Sequence, residues 1–312
     1  MKLDDIVIHG NSKVVNNNLD AKERRREYPV DYFELSKILL QSTEPVVRAE
    51  IFKTIYKALR SYIPDTVYKY YPLGVDDKAD KQRLDTLYRE KIFLSDVSGF
   101  NDPFDGKGFF YNPKELSKIE RLKECDGKLV DDFTKYVKVS CFTGEGVQSM
   151  PMWAHYANNH QGFCVAYDTK TNPDLNMSLF PVQYSSERLD ISSEMKAQAQ
   201  KINDEIEKNV ENGNLITLYN DGTIVFLALL LFNVKDVAWS YEDEYRCVFS
   251  ANSKGMPFIK ARPKSIYIGN RCSDNNAKRL YDIADSFDAN IFKMESNSLD
   301  EKCKLAYSKY IK

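Results

Sequence analysis

The charged residues best placed to do chemistry lie in YEDEYR (Tyr241–Arg246), where Glu242, Glu244 and Arg246 fall at every second position. On a strand that spacing puts all three on one face. Unpaired buried charges cost several kcal/mol, so these groups must be solvated or must serve one another. A solvent-facing strand with an internal ion pair meets that condition. So does a carboxylate pair at the rim of a cleft, a placement favoured by Trp239, Tyr241 and Tyr245 around the acids and by the apolar Cys247-Val248-Phe249 after them. Glu244 and Glu242 are therefore candidate catalytic carboxylates, with Arg246 beside them as a substrate contact.

A second concentration, MWAHYANNHQGFCVAYD (Met152–Asp168), holds two of the three histidines and one of the two tryptophans. Trp153 and Tyr156 are neighbours on a helix surface. His155 and His160 are five apart, the wrong spacing for two metal ligands on one helix, and no metal is expected on these two alone. His155 is either a structural histidine satisfied through its ring nitrogens or a polar, catalytic contact to a ligand stacked on Trp153 or Tyr156. NDPFD (Asn101–Asp105) offers Asn101, Asp102 and Asp105. These bond their own backbone in a proline turn, or face a pocket while Phe100 and Phe104 anchor the turn. Lys69, inside VYKYYP, is an isolated cation in an aromatic strand. It either snorkels to water or meets an anion, a phosphate or one of those acids. Lys69 and its neighbour Tyr70 are candidate substrate contacts.

Strands and helices must position these groups. TVYKYYPL, KIFLS, KYVKVSCF, QGFCVAYD, FPVQYS, EYRCVFS, SIYIG, NIFKMES and KLAYSKYI have strand texture. Between them lie helical stretches at Lys81–Arg89, Pro113–Phe133, PMWAHYAN, the polar Ser193–Val210, the wholly apolar Thr223–Phe232 and Asp274–Phe287. An all-round apolar helix is expected at the centre, and Ser273 or Asp274 caps the last helix. Without strict βαβ alternation the expected class is α+β, a mixed, mainly antiparallel sheet flanked by helices. Upstream, Phe33, Leu35, Ile38, Leu39 and then Val47, Ile51, Ile55, Leu59 recur at helical spacing. Pro45 divides them into a hairpin whose second helix Thr43 can cap. The expected division is an arm and helical hairpin over 1–62 and a core over 63–312, with Met1–Tyr28 loosely packed.

The 312 residues are 43% hydrophobic and 29% charged, ordinary for a globular protein. A net charge of −2 argues against nucleic-acid binding through a uniformly basic surface, leaving room for a local groove. The longest apolar run, Ile224–Phe232, is half the length of a bilayer span, so no membrane association is expected. MKLDDIVIHG lacks the basic and apolar regions of a signal peptide. The six cysteines form no CxxC pair. A reduced, cytoplasmic protein without disulfides or structural zinc is expected.

KYY (Lys69–Tyr71), KIFLSDVSGFNDPFD (Lys91–Asp105), VSCF (Val139–Phe142), MWAHYANNHQGF and VKDVAWSYEDEYRCVF (Val234–Phe249) resemble, in that order, an uncharacterised bacterial family. It is catalogued as domain of unknown function 2971, and the resemblance runs from about Tyr68 to Asp285. The order of a basic residue on an early strand, a middle turn, an aromatic helix and a late Glu-x-Glu also distantly resembles the layout of ADP-ribosyltransferases. That resemblance implies an NAD contact at Lys69, a nicotinamide pocket shaped by Ser95 or the NDPFD turn, and a catalytic Glu244 or Glu242. Lys69 stands where those enzymes carry Arg or His, and their Ser-Thr-Ser is absent. The implied function is an NAD-consuming transferase or NAD glycohydrolase with NAD as substrate, no required cofactor, and a protein or nucleic-acid acceptor. An intracellular effector role in bacterial defence is the accompanying expectation. Two alternatives stay open. One is a non-catalytic module binding a nucleotide or peptide in the aromatic cleft. The other is a metal-dependent nuclease with Asp102, Asp105, Glu242 and Glu244 on Mg²⁺ and Lys69 or Lys235 on the scissile phosphate.

Overall fold

A computed structural model describes residues 19–42, 44–128, 137–213, 223–250, 258–296, 301 and 303–311. Side-chain caps start the first helices. Asp20 and Glu23 form a reciprocal capping box at α1 (Ala21–Glu27). Asp31 accepts from the Phe33 and Glu34 amides to start α2 (Tyr32–Leu40), and α3 (Pro45–Leu59) opens on a proline. The expected cap Thr43 lies outside the described residues. Residues 21–27, expected in a loosely packed arm, are helical and bury Arg24. The α2–α3 hairpin buries Leu35, Leu39, Ile51, Ile55 and Leu59 in one cluster with Phe180, Leu227, Leu230, Leu231 and Val234. Its core is shared with residues far along the chain.

The next elements are β1 (Thr66–Tyr71), α4 (Asp77–Tyr88), β2 (Lys91–Phe93), β3 (Phe109–Phe110), α5 (Pro113–Leu116), β4 (Val137–Thr143), α6 (Met150–Tyr156) and β5 (Phe163–Asp168). There follow α7 (Pro173–Ser178), β6 (Leu179–Pro181), β7 (Gln183–Tyr184), β8 (Leu189–Asp190), α8 (Ser192–Glu211), α9 (Thr223–Leu231) and β9 (Val234–Lys235). The chain closes with β10 (Glu244–Ser250), β11 (Phe258–Lys260), β12 (Ser265–Ile268), α10 (Asp274–Ser286), β13 (Asn290–Ser296) and β14 (Leu305–Lys309).

Eight strands make one sheet in the order β14-β13-β12-β5-β1-β4-β10-β6. The β12–β13 pair is parallel and the others are antiparallel. The class is thus α+β, as expected. Strand alternation sends Val67, Val165, Tyr167 and Ile266 to one face, where α10 buries Leu280 and Ala284 against them. Tyr70, Cys164, Ala166 and Tyr267 point to the other, where α6 buries Trp153.

Three expected elements differ. The Pro113–Phe133 stretch is no continuous helix: α5 is followed by a 3-10 turn, Glu120–Cys125, that Asp126 ends with φ 53°. Residues 129–136 lie outside the described set. Helix α9 is not enclosed all round, because Leu227, Leu230 and Leu231 face the core while Val225 is 48% exposed. YEDEYR is not one strand. Val237–Glu242 forms a 3-10 turn, Asp243 takes φ 43°, and the strand begins at Glu244. Among the described residues, no helix is long and apolar enough to cross a membrane.

The pairing of the two central strands positions the site. β1 pairs with β5 from Thr66↔Asp168 to Tyr71↔Phe163, and β4 pairs with β10 from Glu244↔Thr143 to Ser250↔Val137. Between themselves β1 and β4 pair at a single position, Tyr68↔Thr143. From Lys69 onward they part.

Candidate functional site

A cavity of about 480 Å³ opens in this split. Lys69 and Tyr70 line it from β1, and Ser140, Cys141 and Phe142 from β4. Asn101, Asp105, His155, Tyr156, Lys235, Glu242 and Glu244 complete the wall around it.

The acids reach the cavity because the backbone turns sharply between them. Glu242 ends the 3-10 turn, Asp243 is left-handed, and Glu244 starts β10. Both carboxylates converge on the Lys235 ammonium, at 2.6 Å from Glu242 Oε2 and 3.0 Å from Glu244 Oε2. Arg246, two residues along β10, places Nε 2.8 Å from Glu244 Oε1 and Nη2 2.6 Å from Asp105 Oδ1. Its Nη1 donates to the Phe232 carbonyl at 2.8 Å. The Tyr156 hydroxyl donates to Glu242 Oε1, and Asn101 Nδ2 donates to that hydroxyl at 3.3 Å. All five ionised groups are buried.

Their electrostatics are uneven. Burial opposes the charge on Glu244, yet Arg246 and Lys235 outweigh it and hold this carboxyl well below the usual range. Burial and the neighbouring Glu244 push Glu242 upward. Asp105 is also raised by burial, against the pull of Arg246. Burial works against the Lys235 ammonium, but Glu244 and Glu242 keep it charged beyond the ordinary lysine range. Three carboxylates, Asp105, Glu242 and Glu244, thus share two cations, Lys235 and Arg246. The cluster therefore holds one more acid than it has cations.

Lys69 supplies the opposite sign. Alternation along β1 places it with Tyr71 on the far side of the sheet from Tyr68 and Tyr70. Its ammonium donates to the Cys141 carbonyl across the gap at 3.2 Å and lies 5.5 and 5.4 Å from the ring centroids of Tyr71 and Phe142. Among the described residues it is within ion-pair distance of no carboxylate. Burial lowers its pKa.

The other candidates separate by location. His155 is exposed at the cavity wall, 6.4 Å from the Tyr156 ring and 6.3 Å from Tyr241. Tyr70 lines the cavity and donates its hydroxyl to the Gly146 carbonyl at 2.7 Å. Trp153 offers no surface to a ligand in the cavity. It is fully buried, its indole N–H donates to the Val147 carbonyl at 2.7 Å, and it packs edge-on against Tyr70. Asp102 is buried beneath the turn, with Oδ1 accepting from the Phe104 amide at 2.8 Å. Arg246 stands behind Glu244, so it orients the acids rather than meeting a ligand. His160 stacks on Trp153 at 6.1 Å, in a left-handed run with Asn158 and Asn159. The strand after it can approach because Gly162 has no side chain: a Cβ there would sit 2.0 Å from the Tyr71 carbonyl oxygen.

Lys235, expected in the nuclease alternative as one of two lysines for a scissile phosphate, is instead the shared cation of Glu242 and Glu244. A lone lysine in the apolar LLLFNVKDVA was the available signal.

Residues 152–247 match the DUF2971 family model. The family is described as a protein of unknown function. The DUF2971 match begins in α6 and ends in β10, so it takes in His155, Tyr156, Lys235, Glu242, Glu244 and Arg246. Lys69, Asn101 and Asp105 lie upstream of the DUF2971 segment, within blocks that carry the wider resemblance. No curated protein and no solved structure is matched by the chain.

Proposed function

We propose that the cavity binds NAD or a closely related dinucleotide and cleaves its bond between ribose and nicotinamide. One observation carries this reading: the cavity lining holds unmet charge of both signs. Among the described residues Lys69 is a cation within ion-pair distance of no carboxylate, and the Glu242 side holds three acids for two cations. A dinucleotide brings a pyrophosphate for the first and a developing positive charge on ribose for the second.

The chemistry follows from that arrangement. As the C1′–N bond lengthens, its electron pair moves to the nicotinamide nitrogen and C1′ becomes oxocarbenium-like, as in glycoside cleavage. The Glu242 carboxylate stabilises that charge, fixed in place by Tyr156 and Lys235. Water, or the acceptor's nucleophile, then bonds to C1′ and gives its proton to Glu242, whose raised pKa suits it as a base. The role passes from Glu244 to Glu242 because two cations, Arg246 and Lys235, bind Glu244, whereas Glu242 pairs with Lys235 alone. Glu244 holds Lys235 and Arg246 in register. A bacterial defence role remains part of this proposal.

The nuclease alternative fits less well, since Asp105, Glu242 and Glu244 each already pair with a lysine or arginine that Mg²⁺ would have to displace. The test is to incubate the protein with NAD, follow free nicotinamide by NMR, and measure binding by calorimetry. Nicotinamide release supports cleavage. Binding with intact NAD assigns the cavity to a non-catalytic dinucleotide module, and no binding removes the dinucleotide altogether.

A further inference from the structure

The Asp243 turn aims both carboxylates, and a non-glycine residue at φ 43° is a conformation the surroundings must hold. Four contacts do so. The Gly144 amide donates to the Asp243 carbonyl at 2.9 Å, and a Cβ on Gly144 would sit 2.2 Å from Asp243 Oδ2. The Glu244 amide donates to the Tyr184 hydroxyl at 2.8 Å, and the Val182 amide to the Glu244 carbonyl at 3.0 Å. The fourth contact comes from α1, about two hundred residues away in the chain. Arg25 Nη1 lies 2.7 Å from Asp243 Oδ1, with the arginine side chain 11% exposed. Its Nη2 donates to the Val182 carbonyl at 2.8 Å, and its guanidinium lies 4.6 Å from the Tyr245 ring centroid and 5.7 Å from that of Tyr184. One guanidinium therefore touches the turn at Asp243, the strand that follows it at Tyr245, and the neighbouring segment at Val182 and Tyr184.

We infer that Arg25 is a positioning residue: the N-terminal helix pins the Asp243 turn and so sets the direction of Glu242 and Glu244 into the cavity. It acts through Asp243, Val182 and the two tyrosines, not on a ligand. The pin couples the state of the N-terminal segment to the geometry of the site. The activity readout of this inference rests on the proposed NAD cleavage, whereas its structural readout does not.

The experiment compares full-length wild type with R25M, R25K, D243N and K22A. Asn tolerates a left-handed backbone, so D243N removes the charge that Arg25 pairs with, leaving a neutral amide oxygen, without disturbing the turn by itself. Lys22 is the control, on the same helix but only 3.8 Å from Glu145 at the surface. Hydrogen exchange at the Asp243 and Glu244 amides should quicken in R25M and D243N, fall between in R25K and stay unchanged in K22A. Nicotinamide release should fall on the order of a hundredfold in R25M, in kcat more than in KM, as misplaced catalytic groups do. Unchanged exchange in R25M and D243N overturns the assignment, and D243N alone decides it if R25M does not fold. Quickened exchange in a protein that never cleaves NAD keeps Arg25 as the pin and removes the NAD reading instead.

Discussion

At the scale of single residues, the site depends on charges that do not balance locally. Lys69 has a lowered pKa because burial disfavours its ammonium more than Cys141, Cys247 and Glu244 favour it. It is charged below that value and neutral above it. Binding of pyrophosphate or ADP-ribose should therefore be full on the acid side and weaken as pH rises through a value below the ordinary lysine range. Lys69→Met should bind weakly and show no such limb; calorimetry across alkaline pH reads both. Arg246 carries the opposite lesson. It lies between Glu244 and Asp105, all three nearly inaccessible, so Arg246→Met leaves two buried carboxylates short of a partner. The loss should be about 3–5 kcal/mol, the range for breaking a buried pair, read from urea unfolding of the two proteins. The sequence exposed these charged residue types but not their partners. The Glu244–Arg246 pair is local, while Lys69, Lys235, Asp105 and Arg25 find their partners through tertiary contacts that sequence spacing does not encode.

At the scale of elements, local pattern and tertiary packing share the outcome. β1, β5 and β12 were legible because short runs rich in β-branched and aromatic residues favour strands, β5 and β12 being buried almost throughout, and α10 because Ser273 caps a clean helical period. YEDEYR misled because period two is necessary for a strand but not sufficient. Only Glu244 and Arg246 use it, and the left-handed Asp243 brings Glu242 in from a different element. Trp153 misled in another way: an aromatic beside histidine suggested a ligand platform, but its indole N–H found a carbonyl inside the core. The split between β1 and β4 was not readable at all. Each strand is satisfied by its outer neighbour, and nothing in either sequence forbids a longer ladder between them.

At the scale of the molecule, the hairpin and the sheet domain hold one another. Leu35, Leu39, Ile55 and Leu59 are buried against Leu227, Leu230, Leu231 and Phe180, and α1 reaches the Asp243 turn. A chain beginning at residue 63 should expose that cluster and aggregate, while full-length protein should unfold in one transition by calorimetry and by fluorescence. Separate transitions would show two independent units.

The central claim is that Glu242, in the cavity that Lys69 also lines, works on the ribose of a bound dinucleotide. The most direct measurement is nicotinamide release from NAD by wild type, Glu242→Gln and Glu244→Gln under the same conditions, with NAD binding measured alongside. Wild type should release nicotinamide, and Glu242→Gln should still bind NAD but release it about 10²–10³ times more slowly, the cost of removing one preorganised electrostatic group. Release by Glu242→Gln at the wild-type rate would contradict the claim.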